Sequence, residues 1–231
     1  KDKALEICKM SVEKGNSNAI NIYATMLRYG NCVPVNKEEA IKLYKIAISK
    51  KNSNAMFNYA VMLKNGETID ANSSEAVKYI KMAIDLGNDA AMNFYACMLK
   101  KGDSVPKNKK EAIRLYKLSA NKGNIYAMHN YANILIKGKG VKINKQEAFI
   151  YYKKSADGGN IKSMRKCYQM LSNGDGVSIN KEEADRYLEM IIGKEHVDPM
   201  IQYTKRTENG EDASMDQNDE VHRLKLAIEE G

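Results

Sequence analysis

The chain has 231 residues, with 37 Lys and Arg against 29 Asp and Glu, a formal net charge of +8, 43% apolar residues and no Trp. Apolar side chains suffice for a core, but no run of about eighteen of them exists to span a bilayer, and the charged opening KDKALEICKM lacks the apolar stretch of a signal peptide. The positive balance favours acidic partners, whether protein, nucleic acid or lipid headgroup, without choosing among them.

In chain order, residues 1–16 read as a single amphipathic helix, since Ala4 aligns with Ala40 one period later. The missing partner helix, together with the absence of a starting Met, leads us to expect a monomeric piece of a larger protein, with more repeats or another domain upstream. From Ser17 a two-helix unit recurs every 36 residues, over 17–52, 53–88, 89–124, 125–160 and 161–196. Its first helix, A, keeps three-four apolar spacing, as in Ala55, Met56, Tyr59, Ala60 and Leu63. Glycine at 30, 66, 102, 138, 174 and 210 stops it, the role of a left-handed C-terminal residue. The second helix, B, opens on one phrase five times: NKEEAIKLYKIA at Asn36, NSSEAVKYIKMA at Asn72, NKKEAIRLYKLS at Asn108, NKQEAFIYYKKS at Asn144 and NKEEADRYLEMI at Asn180. Each Asn is expected to cap the helix while the glutamate three residues on reaches back to the cap amide, as a capping box does. Gly15, Gly87, Gly123 and Gly159 end helix B, with Lys51 and Glu195 as exceptions.

Alanines at 19, 55, 91 and 127, and at 40, 76, 112, 148 and 184, let A and B approach closely while Tyr and Leu fill the holes beside them. One helix pair cannot bury that face, whereas stacked pairs bury a continuous one. The sequence therefore predicts an all-α, right-handed superhelix of thirteen helices, forming a single repeat domain over 1–231. In the fifth copy Cys167 takes the Tyr position and Tyr168 the Ala position, which should push helix A outward. Residues 197–231 keep Tyr203, Gly210, Leu224 and Ala227 in register but place Pro199, Thr204, Thr207 and Glu220 at apolar positions. That is the pattern of a polar C-terminal cap, although its acidic TENGEDASMDQNDE also reads as a mobile loop.

The pattern A-x-x-x-Y-A-x-x-L-x-x-G, then G-V-x-x-N-x-x-E-A-x-x-x-Y-x-x-[AS]-A-x-x-G-N, is fullest in AMHNYANILIKGKGVKINKQEAFIYYKKSADGGN from Ala127 to Asn160. It resembles the Sel-one-like repeat, a tetratricopeptide-like helical solenoid, over essentially the whole chain. Ala24, Ala60, Ala96 and Ala132 stand where that family usually has glycine. The resemblance implies scaffolding, holding partners in degradation, signalling or cell-wall-synthesis complexes. A cysteine-rich branch described as β-lactamases staples each repeat with a cysteine pair, and this sequence does not.

No pattern for catalysis, cofactor or metal emerges. Cysteines 8, 32, 97 and 167 occupy unrelated repeat positions, which points to reduced thiols and a cytoplasmic setting. They never form C-x-x-C, and Cys97 with His129 supplies too few ligands for a metal. GKG at 138 and GDG at 174 are repeat turns rather than phosphate loops. The expectation is no enzyme, no cofactor and no membrane insertion.

By analogy with tetratricopeptide units, helix A positions 18, 21, 25, 28 and 29, and their equivalents every 36 residues, face a concave groove. The candidate partner-binding set is Asn18, Asn21 and Arg28; Asn54, Phe57 and Lys64; Asn93, Lys100 and Lys101; Tyr126, His129, Asn133 and Lys137; and Lys162, Arg165 and Gln169. Seven of the groove positions are basic and none acidic. Arg28, Lys64, Lys100, Lys101 and Lys137 end a helix A, where a cation gains about 0.3–1 kcal/mol from the helix dipole. Lys162 and Arg165 begin one, where a cation is disfavoured, and an anionic ligand is the simplest reason for them. The sequence thus points to a non-catalytic scaffold gripping an extended acidic or phosphorylated peptide. The alternatives are single-stranded nucleic acid, for which only Tyr29, Phe57 and Tyr126 could stack bases, and a hydrolase of the β-lactamase-like branch.

Overall fold

The computed structural model describes residues 2–67 and 71–195, and these form α-helices joined by short loops, with no strand among the described residues. The chain divides into two compact units, Lys1–Lys122 and Gly123–Gly231. The first holds α1 (Asp2–Glu13), α2 (Ser17–Tyr29), α3 (Lys37–Ser49), α4 (Ser53–Asn65), α5 (Ser73–Asp85), α6 (Asp89–Lys101) and α7 (Lys109–Asn121). The second holds α8 (Ile125–Lys137), α9 (Lys145–Asp157), α10 (Ile161–Asn173) and α11 (Lys181–Glu195). Even-numbered helices are the A helices, and each packs antiparallel on the B helix that follows it. Eleven of the thirteen expected helices are described; the other two, and the expected cap at 197–231, lie outside the described residues.

Asparagine starts both helices of a repeat. Before each B helix, Asn36, Asn72, Asn108, Asn144 and Asn180 accept from the amides of Glu39, Glu75, Glu111, Glu147 and Glu183 at 2.9–3.0 Å. The other half of the expected capping box does not form. The five cap amides donate instead to the carbonyls of Leu27, Leu63, Leu99, Leu135 and Leu171, at 2.8–3.1 Å. Those carbonyls lie in the last turn of helix A and have no intrahelical donor, so one bond satisfies an orphan at each helix end. Sequence reasoning missed a second series: Asn16, Asn52, Asn88, Asn124 and Asn160 cap the A helices. Each Asn cap is worth about 1 kcal/mol.

The seam between A and B is built from Ala24, Ala40, Ala60, Ala76, Ala96, Ala132 and Ala148, all fully buried. Three B helices also bury a tyrosine at one equivalent repeat position, and each of these phenols finds a polar group 19 positions earlier on its A helix. Tyr44 meets Thr25 Oγ1 at 2.9 Å, Tyr116 donates to Cys97 Sγ at 3.1 Å, and Tyr152 donates to Asn133 Oδ1 at 3.0 Å. In the second repeat the same two positions are Val61 and Ile80, so the polar group disappears with the tyrosine. Among the described residues no buried side-chain N or O lacks a partner.

Tyr168, at the position of Ala24, Ala60, Ala96 and Ala132, is half-buried and lines a cavity beside Asn133 and Ile136. Its ring therefore has an outlet away from the alanine seam.

The turn after helix B needs a left-handed residue, with φ of 74°, 80°, 100° and 94° at Gly15, Gly87, Gly123 and Gly159. Lys51 holds the same place at φ 60° with a Cβ that resists it. Lys51→Gly should relieve that strain. Allowing for the greater freedom of glycine in the unfolded chain, the gain should be roughly 0.5–1 kcal/mol, measured as a raised urea midpoint.

Candidate partner-binding face

In the first unit most of the predicted residues are already engaged. Asn18 and Asn54 each accept, at 2.7 Å, from the cap asparagine of the following A helix, Asn52 and Asn88 respectively. Asn21 is buried and accepts from Asn58 at 3.0 Å. Phe57 stands edge-on to Phe94 with ring centroids 5.7 Å apart, and Asn93 is half-buried.

The two leading cations are neutralised by loop acids. Arg28, only 4% exposed, grips Glu67 through Nε at 3.1 Å and Nη2 at 2.5 Å. Lys64 pairs with Asp103 at 2.9 Å. Both acids lie 39 residues after their cations, in the loop of the next repeat. A tally of helix A positions alone saw cations without acids because it stopped at the helix ends. Lys100 and Lys101, at the end of α6, are exposed and make no ion pair among the described residues.

The second unit differs. Tyr126 is 62% exposed. Lys137 and Lys162 are exposed and make no ion pair among the described residues. Lys162 is the second residue of α10, where its charge opposes the dipole. Arg165, the fifth residue, lies past the first turn, so that reason does not extend to it. Asn133, Lys137 and Gln169 converge on a cavity of about 490 Å³ between α8 and α10. Ile136, Tyr168 and Lys166 complete its working walls, and Lys166 donates to Gln169 Oε1 at 2.9 Å. Its carboxylate, Asp175, is held by Lys145.

His129 faces inward. Its Nδ1 lies 2.9 Å from Ser163 Oγ, which donates to Ser155 Oγ at 2.8 Å, which in turn donates to the Ile125 carbonyl at 2.7 Å. Each hydroxyl hydrogen is thus committed, so Nδ1 must carry the imidazole proton and donate to Ser163. Ser163 is fully buried, and this arrangement is not a nucleophile beside its base. Burial, reinforced by Lys162 and Lys166, lowers the His129 pKa from 6.5 to about 4. No group of three or more His, Cys, Asp or Glu among the described residues could hold a metal, and none of their helices is long and apolar enough to cross a membrane.

An all-α array of capped antiparallel helix pairs, with a polar face on its A helices, defines a helical-repeat protein. The Sel1 repeat matches residues 17–52, 53–88, 89–124, 125–160 and 167–191, and the chain belongs to that family. No curated protein matches it in sequence. Among solved structures, a Sel1 repeat protein from Oxalobacter formigenes has a TM-score of 0.74 at 22% identity, over 94% of this chain and 88% of that one. A protective antigen present in uropathogenic Escherichia coli strains, displaying an SLR fold, gives 0.69 at 23% identity over 83% of this chain; the match spans only 41% of the antigen. An immunity protein from Pseudomonas aeruginosa gives 0.62 at 17% identity, over 83% of this chain and 73% of that one. At these identities the likeness speaks for the fold alone.

Two stability predictions separate the units. Glu67→Gln removes the charge that satisfies buried Arg28 and should cost roughly 1.5–3 kcal/mol, read from chemical denaturation at neutral pH. For His129, the unfolded chain holds the extra proton between pH 6.5 and about 4. Its neutral form therefore supports stability fully above pH 6.5, and that support is lost as pH falls through this window. Asn21 and Asn93 occupy the equivalent positions, so His129→Asn should fold and show a flatter melting-temperature profile between those pH values.

Proposed function

We propose that this chain is a non-catalytic interaction scaffold that holds an extended acidic segment of a protein partner on the A-helix face of its second unit. The observation that carries the reading is the charge on that face. Lys137 and Lys162 are exposed without an ion pair among the described residues, and Lys162 sits where the helix dipole disfavours it. Neither capping nor packing accounts for Lys162, and a bound anion would. Supporting this, the Ser163 hydroxyl beside His129 has its proton committed to Ser155. Single-stranded nucleic acid fits less well, since Phe57 is half-buried against Phe94 and Arg28 lies over the Tyr29 ring at 4.8 Å. Tyr126 and Tyr29 are both exposed, but Arg28 already occupies one face of Tyr29.

The test is fluorescence anisotropy with a labelled peptide of alternating Glu and Ser, and with a uridine oligonucleotide of equal charge. The peptide should bind more tightly than the oligonucleotide and weaken as salt rises, because exposed charges are screened beyond about 8 Å at physiological ionic strength. Lys162→Glu should keep its helix, an acid being welcome in a first turn, yet lower peptide affinity about three- to tenfold. An unchanged affinity would remove Lys162 from the site, and preference for the oligonucleotide would favour the other reading.

A further inference from the structure

We propose that the cavity between α8 and α10 is an anchor for one acidic–apolar step of the bound segment, its carboxylate meeting Lys137 and Lys166 and its apolar neighbour resting on Ile136 and Tyr168. This rests on the acidic-segment reading and adds where the segment is fixed and through what chemistry.

The cavity is made by departures from the repeat. Position 166 is Lys where the other copies have Ile22, Asn58, Phe94 and Asn130. Position 168 is Tyr where four copies have Ala, and position 136 is Ile where three copies have Arg28, Lys64 and Lys100. A helical scaffold needs none of these changes, yet all three line one cavity. Its volume of about 490 Å³ falls within the roughly 300–1,000 Å³ common for binding pockets.

The electrostatics agree. In the first unit the loop acids Glu67 and Asp103 neutralise Arg28 and Lys64. The same 39-residue step in the second unit joins Ile136 to Asp175. With no cation at 136 to meet, Asp175 pairs with Lys145. Among the described residues Lys166 is partnered by the neutral Gln169 amide, and its charge reaches far enough to disfavour protonation of His129. Two cations therefore border a half-apolar recess whose own carboxylate is already held.

The test uses the full chain and two labelled twelve-residue peptides, one of alternating Glu and Ser and one with a central Ser replaced by Leu. The Leu peptide should bind at least about fivefold more tightly. Tyr168→Ala restores the repeat residue and should abolish that gain. Lys137→Gln with Lys166→Gln should weaken both peptides at least about tenfold, or roughly 1.4 kcal/mol. Lys100→Gln with Lys101→Gln, in the first unit, should change them less than about twofold. Proton NMR adds a readout that a structural role would not move: a carboxylate seated near Lys166 should raise the His129 titration midpoint, with His129→Asn identifying the resonance. If the native chain binds the peptides but the Lys137/Lys166 variant binds equally well, or Leu brings no gain, the anchor is overturned and the scaffold reading stands. If the native chain binds neither peptide, the scaffold reading fails and the anchor falls with it.

Discussion

In each of the five described repeats, the cap amide of helix B donates to a leucine carbonyl in the last turn of helix A, at 2.8–3.1 Å. The bond joins two groups that helical geometry leaves unsatisfied. By doing so it fixes where helix B starts relative to the end of helix A. The left-handed glycine turns the chain out of helix A, and the leucine–asparagine bond closes the loop that follows. Only with that loop closed can the buried alanines face each other across the seam. The bond also frees the glutamate of the phrase from the cap amide. Glu39 and Glu111 turn to Lys42 and Arg114 one turn on, at 3.2 and 2.6 Å. These surface pairs contribute little each; the backbone junction is what sets the geometry.

A second constraint acts inside the repeats. A buried tyrosine brings a hydroxyl that needs a partner, and Thr25, Cys97 and Asn133 supply it in three different chemistries. The isoleucine of the second repeat needs none and faces Val61. Repeats that look interchangeable in outline are therefore individually matched, and swapping one tyrosine without its partner would strand a buried polar group at a cost of about 1–3 kcal/mol. The fourth and fifth copies extend this furthest, with His129, Ser163 and Ser155 passing hydrogen bonds in one direction to a backbone carbonyl.

Much of the architecture was legible because it rests on local rules repeated at a fixed period. The B-helix caps, the stopping glycines and the alanine seam each follow from a residue and its near neighbours. The misses have a common cause: they join residues that are distant in sequence. Glu147 cannot reveal that its cap amide already has Leu135 as a partner. Asn18 and Asn54 look like free amides until the cap of the next helix reaches them. Arg28 looks like a surface cation until Glu67, 39 residues on, covers it. Yet signals existed. The Tyr–polar pairing at a step of 19 and the cation–acid pairing at a step of 39 can both be read by comparing the copies with one another rather than each copy with a motif.

That comparison also bears on where a ligand would bind. A repeat array offers the same backbone surface many times, so selectivity must come from side chains that differ between copies. In the first unit Arg28 and Lys64 are neutralised within the protein by Glu67 and Asp103, and separating Arg28 from Glu67 would bury an unpaired cation. In the second unit a single replacement, Ile136, removes the cation that the loop acid would have met, and Asp175 is satisfied by Lys145 instead. Lys137 and Lys166 are then left beside Ile136 and Tyr168 with no ion pair among the described residues. Lys166 is half-buried, so an incoming anion would meet it at a lower effective dielectric than on the open ends of the first-unit helices. On the proposed reading, the basic balance of the whole chain matters less for recognition than the missing cation at position 136.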